Sequence, residues 1–308
     1  MSLDVPRSPS PSLLPIYWQA TRAFSFPASV VSLLLGTTLA SVAGGNGLKF
    51  HVLPFLLVLV GGLFAHAGAN VFNDCFDFVR GVDTRPEHGS GVLPSGLLTP
   101  DQMRRFGISL MAVAALCGAW LLALRPLHTA LVGVAALACF GFACALLYPM
   151  LLKRYALGDV LIVLSFGLGM PLGAFVAQSD LLDPKRLGFV LLASLPTTAL
   201  VDAILHANNM RDREDDKAAG VHTLATLLSG HGSRMLQGAL LGFPILFVVV
   251  GAAMHWLPAA SLAALIAVPM LHRAYRLGAV PLVAQAHLVF GVPYALAFLT
   301  LALTHARG

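Results

Sequence analysis

The 308-residue chain is 57% hydrophobic and 11% charged, far more apolar than a soluble domain of this size requires, so it reads as an integral membrane protein. Its formal net charge of +5 does not point to nucleic acid, because Lys and Arg collect in the cytoplasmic loops of membrane proteins. Cys75, Cys117, Cys139 and Cys144 lie in apolar segments without CxxC spacing, which reads as small packing residues and not as disulfides or metal ligands.

The N-terminus, MSLDVPRSPSPSLLP, is rich in Pro and Ser and lacks the basic-then-apolar layout of a cleaved signal. A mobile tail is expected there, reaching to about residue 20, ahead of a single transmembrane domain that accounts for the rest of residues 1–308. A helical span needs about 20 apolar residues. Nine candidates follow, at approximately 24–43, 52–74, 103–124, 128–147, 158–178, 187–209, 236–254, 258–272 and 285–304. The eighth is short and carries Pro269. With nine spans and a cytoplasmic N-terminus, 14 of the 19 Lys and Arg residues fall on the cytoplasmic side. The expected class is therefore all-α, with about nine transmembrane helices. Spans two and six each end in a polar stretch followed by a long charged loop, four helices apart, which hints at a duplicated four-helix unit plus a final helix.

Those two polar stretches hold the chemistry. The first, NVFNDCFDFVRGVD, sets Asn70, Asn73, Asp74, Asp77 and Asp83 at the end of span two. Asn73 and Asp77 are four apart, so on a helix they share a face. The second, DAILHANNMRDREDD, repeats the four-residue step at Asn208, Asp212 and Asp216. A carboxylate at a bilayer centre costs roughly 2.5–3.5 kcal/mol on insertion scales, so these clusters need an explanation. They could form an oxygen-rich site for a hard divalent cation that holds a phosphorylated substrate. They could line the ion pathway of a transporter. They could be solvated caps and loops, which accounts for Glu87, Glu214 and Asp215 but poorly for Asn73, Asp77, Asn208 and Asn209, which lie at or inside the spans. Arg80, Arg211, Arg213 and Lys217 interleave with the acids and suit phosphate oxygens, although positive-inside bias alone would put basic residues there. Asp202 and His206 lie two turns and one turn before Asn209, and His66 one turn before Asn70; ionisable groups within a span are functional candidates. Gly167, Gly169 and Gly173 lack a preceding strand, so close helix packing explains them better than a nucleotide loop.

NDCFDFVRGVD from Asn73 resembles the first Asp-rich motif of the UbiA-type membrane prenyltransferases, and NNMRDREDDKAAGVHTLA from Asn208 resembles the second. WQATRAFSFPASVVSLLLGTTLA from Trp18, GVLPSGLLTP from Gly91 and YPMLLKRYALGD from Tyr148 are similar to the family's opening helix, first loop and link between helices four and five. The paired Asn and the Thr223-Leu224-Ala225 sequence look most like the dihydroxynaphthoate enzymes of menaquinone synthesis and the related animal enzyme. Leu93-Pro94-Ser95-Gly96 and Lys153-Arg154 look more like hydroxybenzoate enzymes.

The resemblance implies nine helices around a central cavity open to the membrane, and Mg²⁺ as cofactor. It implies Asn73, Asp74, Asp77, Asp212 and Asp216 as metal residues, supported by Asp83 and Asn209, with diphosphate between the motifs. Arg80, Arg211, Lys217, Lys153 and Arg22 would neutralise the diphosphate. Asn208, Asn209, Asp202, His206 and Tyr148 would serve the acceptor, and Phe72, Phe76 and Tyr148 would face an allylic cation. The implied partners are a polyprenyl diphosphate, an aromatic acid and membrane lipid. The implied place is the bacterial inner membrane, with the site facing the cytoplasm. Another aromatic acceptor, such as hydroxybenzoate or a futalosine-pathway intermediate, is the alternative within the class; an ion-coupled transporter is the alternative outside it. Mg²⁺ dependence separates those two classes.

Overall fold

The computed structural model describes residues 12–43, 50–82, 85–124, 157–179 and 183–305, with isolated positions between 133 and 141. It is helical, with no strand among the described residues. In chain order the helices are α1 (Leu13–Ala20), α2 (Pro27–Ala43), α3 (Val52–Val79), α4 (Pro100–Ala123), α5 (Gly158–Gln178), α6 (Pro184–Arg211), α7 (Arg213–Ala218), α8 (Leu224–Leu227), α9 (Gly230–Ala253), α10 (Val268–Leu277) and α11 (Val280–His305). Among the described residues seven helices are long and apolar enough to cross a membrane. The predicted span 128–147 falls almost wholly outside the described residues, as do Asp83, Tyr148 and Lys153.

Local chemistry sets the helix ends. Thr99 and Gln102 form a reciprocal capping box with Pro100 in the first turn, so α4 starts three residues before the apolar run suggested. Asp183 accepts from the amides of Lys185 and Arg186 and starts α6. The predicted eighth span is not one helix. It is a 3₁₀ segment, Ala259–Ala267, that passes into α10 where Pro269 takes its place in the first turn.

Part of the stretch expected to be a tail, Leu13–Ala20, lies among the described residues. Leu13–Ala20 form a helix, and Ile16 and Ala20 are buried against α3, the loop around Val92 and Leu93, and Met103 on α4. Four apart, they make one apolar stripe. A second, larger core joins α2, α5, α6, α9, the 3₁₀ segment, α10 and α11. Gly36 lets α2 reach the backbone of α5, since a Cβ there would sit 2.1 Å from the Pro171 carbonyl oxygen. Gly167 packs on Thr198 as expected, but Gly169 and Gly173 line a cavity instead. Around Pro196 the hydroxyls of Ser194, Thr197 and Thr198 donate to nearby helix carbonyls, which suits a proline-containing helix in lipid. Outward-facing Leu116, Trp120, Leu246, Val249 and Ile266 give the bundle the apolar exterior that a bilayer requires.

Candidate functional site

A cavity of about 400 Å³ runs between α2, α3, α4, α5 and α6. Its deep part is lined by Leu57, Gly61, Ala114, Gly118 and Leu121. Its other end is polar, with Arg22, Asn70, Asn73, Asn208, Asn209, Asp212 and Asp216 in the wall. Both Asp-rich stretches therefore meet at one end of one cavity, although 135 positions separate Asn73 from Asn208.

Not every acid of the first stretch faces this space. The lining face of α3 runs through Gly62, His66, Asn70 and Asn73. Asp74 follows Asn73 by a rotation of about 100°, so it points elsewhere. Its carboxylate pairs with the Arg22 guanidinium and accepts from the Ser90 amide at 2.9 Å. Asp77 is 1% exposed and is not part of the lining. Arg22 itself has φ 52, a left-handed conformation that L-residues rarely adopt, and it presents its side chain both to Asp74 and to the cavity. Gly89 is needed beside this pair. Its φ is +59, and a Cβ would lie 2.6 Å from Arg22 Nη2 and 2.7 Å from Asp74 Oδ1.

Around this end the amide of Asn70 donates to the Thr21 carbonyl at 3.0 Å and to Ser25 Oγ at 3.2 Å. His66 is held between Ser29 Oγ at 2.7 Å and Ser25 Oγ at 3.2 Å, and its ring meets Phe166 edge-on at 4.9 Å. On α6, Asn208 donates to Asp212 Oδ2 at 3.3 Å, and Arg211 grips both Asp212 oxygens at 2.6 Å. Arg80 and Lys217 stay outside the lining. Arg80 lies 5.7 Å above the Phe76 ring, and Lys217 is 3.6 Å from Glu214. Phe72 and Phe76 also face away; Phe72 packs against Gly107 of α4. The aromatic lining is Phe24, Phe140 and Phe166.

Two acids carry interactions that the local pattern did not reveal. Asp215, which fits a solvated loop by sequence, pairs with Arg85 and accepts from His88 Nε2 at 3.0 Å. It thereby ties the loop after α3 to α7. Asp159, at the head of α5, lies beside Asp202 of α6. Both are buried next to the cavity wall. The rule that singled out Asp202, an ionisable group within a span, applies equally to Asp159. His206 is fully buried with Nε2 3.0 Å from the Ser233 carbonyl.

Among the described residues no three His, Cys, Asp or Glu side chains gather closely enough to hold a metal by themselves. The cavity end nevertheless offers carboxylate and amide oxygens. Asn73 Oδ1 is buried there with no hydrogen-bond partner among the described residues, and Asp212 and Asp216 stand in the same lining. Two carboxylates and an amide oxygen fit a cation that completes its shell with water and substrate phosphate, as Mg²⁺ does.

Fold and site together define an integral membrane protein with an intramembrane cavity, apolar along its depth and acidic at one helix-end mouth. Residues 33–290 match the model of the UbiA prenyltransferase family, and the chain belongs to that family, as its two motifs led us to expect. It is 33% identical over 239 residues to UbiA prenyltransferase domain-containing protein 1 of Xenopus tropicalis, covering 75% of this chain and 64% of that protein. It is 32% identical over 250 residues to the 1,4-dihydroxy-2-naphthoate octaprenyltransferase of Bacillus subtilis (strain 168), covering 79% of this chain and 76% of that one. The fold is similar to the apo structure of a UbiA homolog from Aeropyrum pernix K1, with a TM-score of 0.60, 13% identity, and coverage of 90% and 98%. It is also similar to a UbiA homolog from Archaeoglobus fulgidus bound to GPP and Mg²⁺, with a TM-score of 0.59, 12% identity, and coverage of 94% and 99%.

Proposed function

We propose that this prenyltransferase moves a polyprenyl group from its diphosphate to dihydroxynaphthoate, with Mg²⁺, at the cytoplasmic face of a bacterial inner membrane. The observation that carries the reading is the shape of the cavity: an apolar depth for an isoprenoid chain and a polar end of Asn73, Asp212, Asp216 and Arg22 for its diphosphate. The Bacillus subtilis relative's name supports the acceptor, and the Archaeoglobus fulgidus homolog with GPP and Mg²⁺ supports donor and cofactor.

In this reading Asn73, Asp212 and Asp216 would hold the cation, with Asp77 and Asp83 as the further members that the motif implies. Bound Mg²⁺ would supply the charge that stabilises the departing diphosphate. Asp74 aims Arg22 at the diphosphate end. Arg211 pairs with both Asp212 oxygens, and beside a cation held by Asp212 its guanidinium would suit phosphate oxygens. Arg80 and Lys217, outside the lining, and Lys153 are the further basic residues that the motifs imply for the diphosphate. Phe24, Phe140 and Phe166 face the space in which the allylic cation forms, and the apolar walls keep water from quenching it. Asn208 and Asn209 offer amide groups to the acceptor, and Tyr148 is a further acceptor residue that its motif implies. Asp202 and His206 stand behind Asn208 and Asn209.

The test is to incubate purified protein with Mg²⁺, a polyprenyl diphosphate and a panel of aromatic acids, and to identify products by mass. Dihydroxynaphthoate is expected to be the preferred acceptor. Turnover of hydroxybenzoate at equal or higher efficiency would reverse that choice, and transfer without Mg²⁺ would remove the cation from the reading. Orientation is checked separately. Cysteines placed at the exposed positions Glu87 and His222, in a cysteine-free chain, should react with an impermeant reagent only from the cytoplasmic side. Labelling of sealed cells from outside would invert the topology.

A further inference from the structure

Helix α1 has no charged residue, and its outer face carries Leu13, Leu14 and Trp18, of which Leu14 is 80% and Trp18 63% exposed. Its inner face is well anchored. Ile16 and Ala20 are buried, the Tyr17 ring meets Phe106 of α4 at a tilt with centroids 4.7 Å apart, and Gln19 donates to the Ser90 carbonyl at 2.8 Å. A helix held this firmly does not hide its leucines by tumbling, and a face meant for water would carry charge. Its neighbours fix its level in the bundle. Ser90 follows the polar end of α3, and Phe106 sits two turns into α4, so α1 lies at the same end as Asp74 and Asn70, next to the outermost apolar surface and away from the bilayer centre. Trp favours that headgroup level, where an apolar body meets a wet boundary.

We propose that α1 is an interfacial helix, with Leu13, Leu14 and Trp18 seated in the headgroup–acyl boundary of the bilayer beside the cavity mouth. The surface is continuous with the lipid-facing exterior of the bundle, and Phe24, four residues beyond α1, is 43% exposed and lines the cavity. The consequence is mechanical. The turn that leaves α1 carries Thr21 and Arg22, which bond Asn70 and Asp74. Seating α1 in the membrane therefore positions the arm that closes the polar end of the cavity.

The experiment uses the full chain reconstituted in phosphatidylcholine–phosphatidylglycerol vesicles, with Trp120 and Trp256 replaced by Phe so that Trp18 is the sole tryptophan. Lipids brominated at shallow acyl positions should quench Trp18 at least twofold more than deeply brominated lipids, and aqueous iodide should quench it little. Leu14→Glu should weaken the shallow quenching by about half or more. Strong iodide quenching with no lipid quenching would mean that the face is in water and would overturn the proposal. Protection from both quenchers would mean that a second copy covers it, which also overturns it. None of these readings depends on catalysis.

Discussion

Asp212→Asn is expected to lower turnover by on the order of a hundredfold or more, equivalent to about 2.7 kcal/mol of transition-state stabilisation, while the protein stays folded. The substitution keeps the side-chain volume and removes a full negative charge from the oxygen-donor end of the cavity. Asp212 is the residue after the last turn of α6, with its side chain 18% exposed and its partners Asn208 and Arg211 both local. No long-range packing depends on it, so thermal stability should be close to that of the parent. The loss should appear in turnover at saturating prenyl diphosphate and should not be recovered by raising the acceptor concentration. Asp101→Asn is the matched control. Asp101 is at the start of α4, exposed, and paired only with Arg104 at 3.0 Å. Such surface pairs contribute roughly 0–1 kcal/mol, so turnover should change by less than about threefold. Equal behaviour of the two variants, both active or both inactive, would sink the assignment of Asp212 to the diphosphate end.

Asp74→Asn should fail in a different way, by losing stability. Asp74 and Arg22 are both largely buried, with side chains 6% and 14% exposed. Removing one partner of a buried ion pair costs about 3–5 kcal/mol when the other charge is left behind; at this helix end, which water can reach, about 2–3 kcal/mol is expected. The Asn oxygen can still accept from the Ser90 amide, so the loss measures the charge. Thermal unfolding in detergent should begin several degrees lower, and the loop around Ser90 should be cut faster by protease. Turnover should fall as well, because Arg22 loses its aim. An unchanged unfolding temperature together with a turnover loss as large as that of Asp212→Asn would show that Asp74 acts on the cation directly and not through Arg22.

These two acids show where a reading of the chain stops. Asp74 and Asp77 belong to the same motif as Asn73, and spacing alone cannot say which of them turns toward the cavity. That depends on the rotation of α3 against α4 and α5, which packing decides. Neither the Arg22–Asp74 pair, 52 residues apart, nor the Asp215–His88 contact, 127 residues apart, leaves a trace in local sequence, because each partner looks like an ordinary loop or cap charge by itself. Asp159 meets Asp202 only because α5 lies along α6.

Features that are local, or that sum over a window, were legible in the chain alone. Apolar content set the class, runs of about 20 apolar residues set most of the spans, and four-residue steps of Asn and Asp marked two helix ends and the family they resemble. The docking of Leu13–Ala20 and the register of the acids were decided by packing. Burial of Ile16 and Ala20 by distant residues docks this short helix on the bundle, and the choice of cavity-facing oxygen follows from how whole helices are rotated against one another, a property of the packed bundle that no single stretch carries.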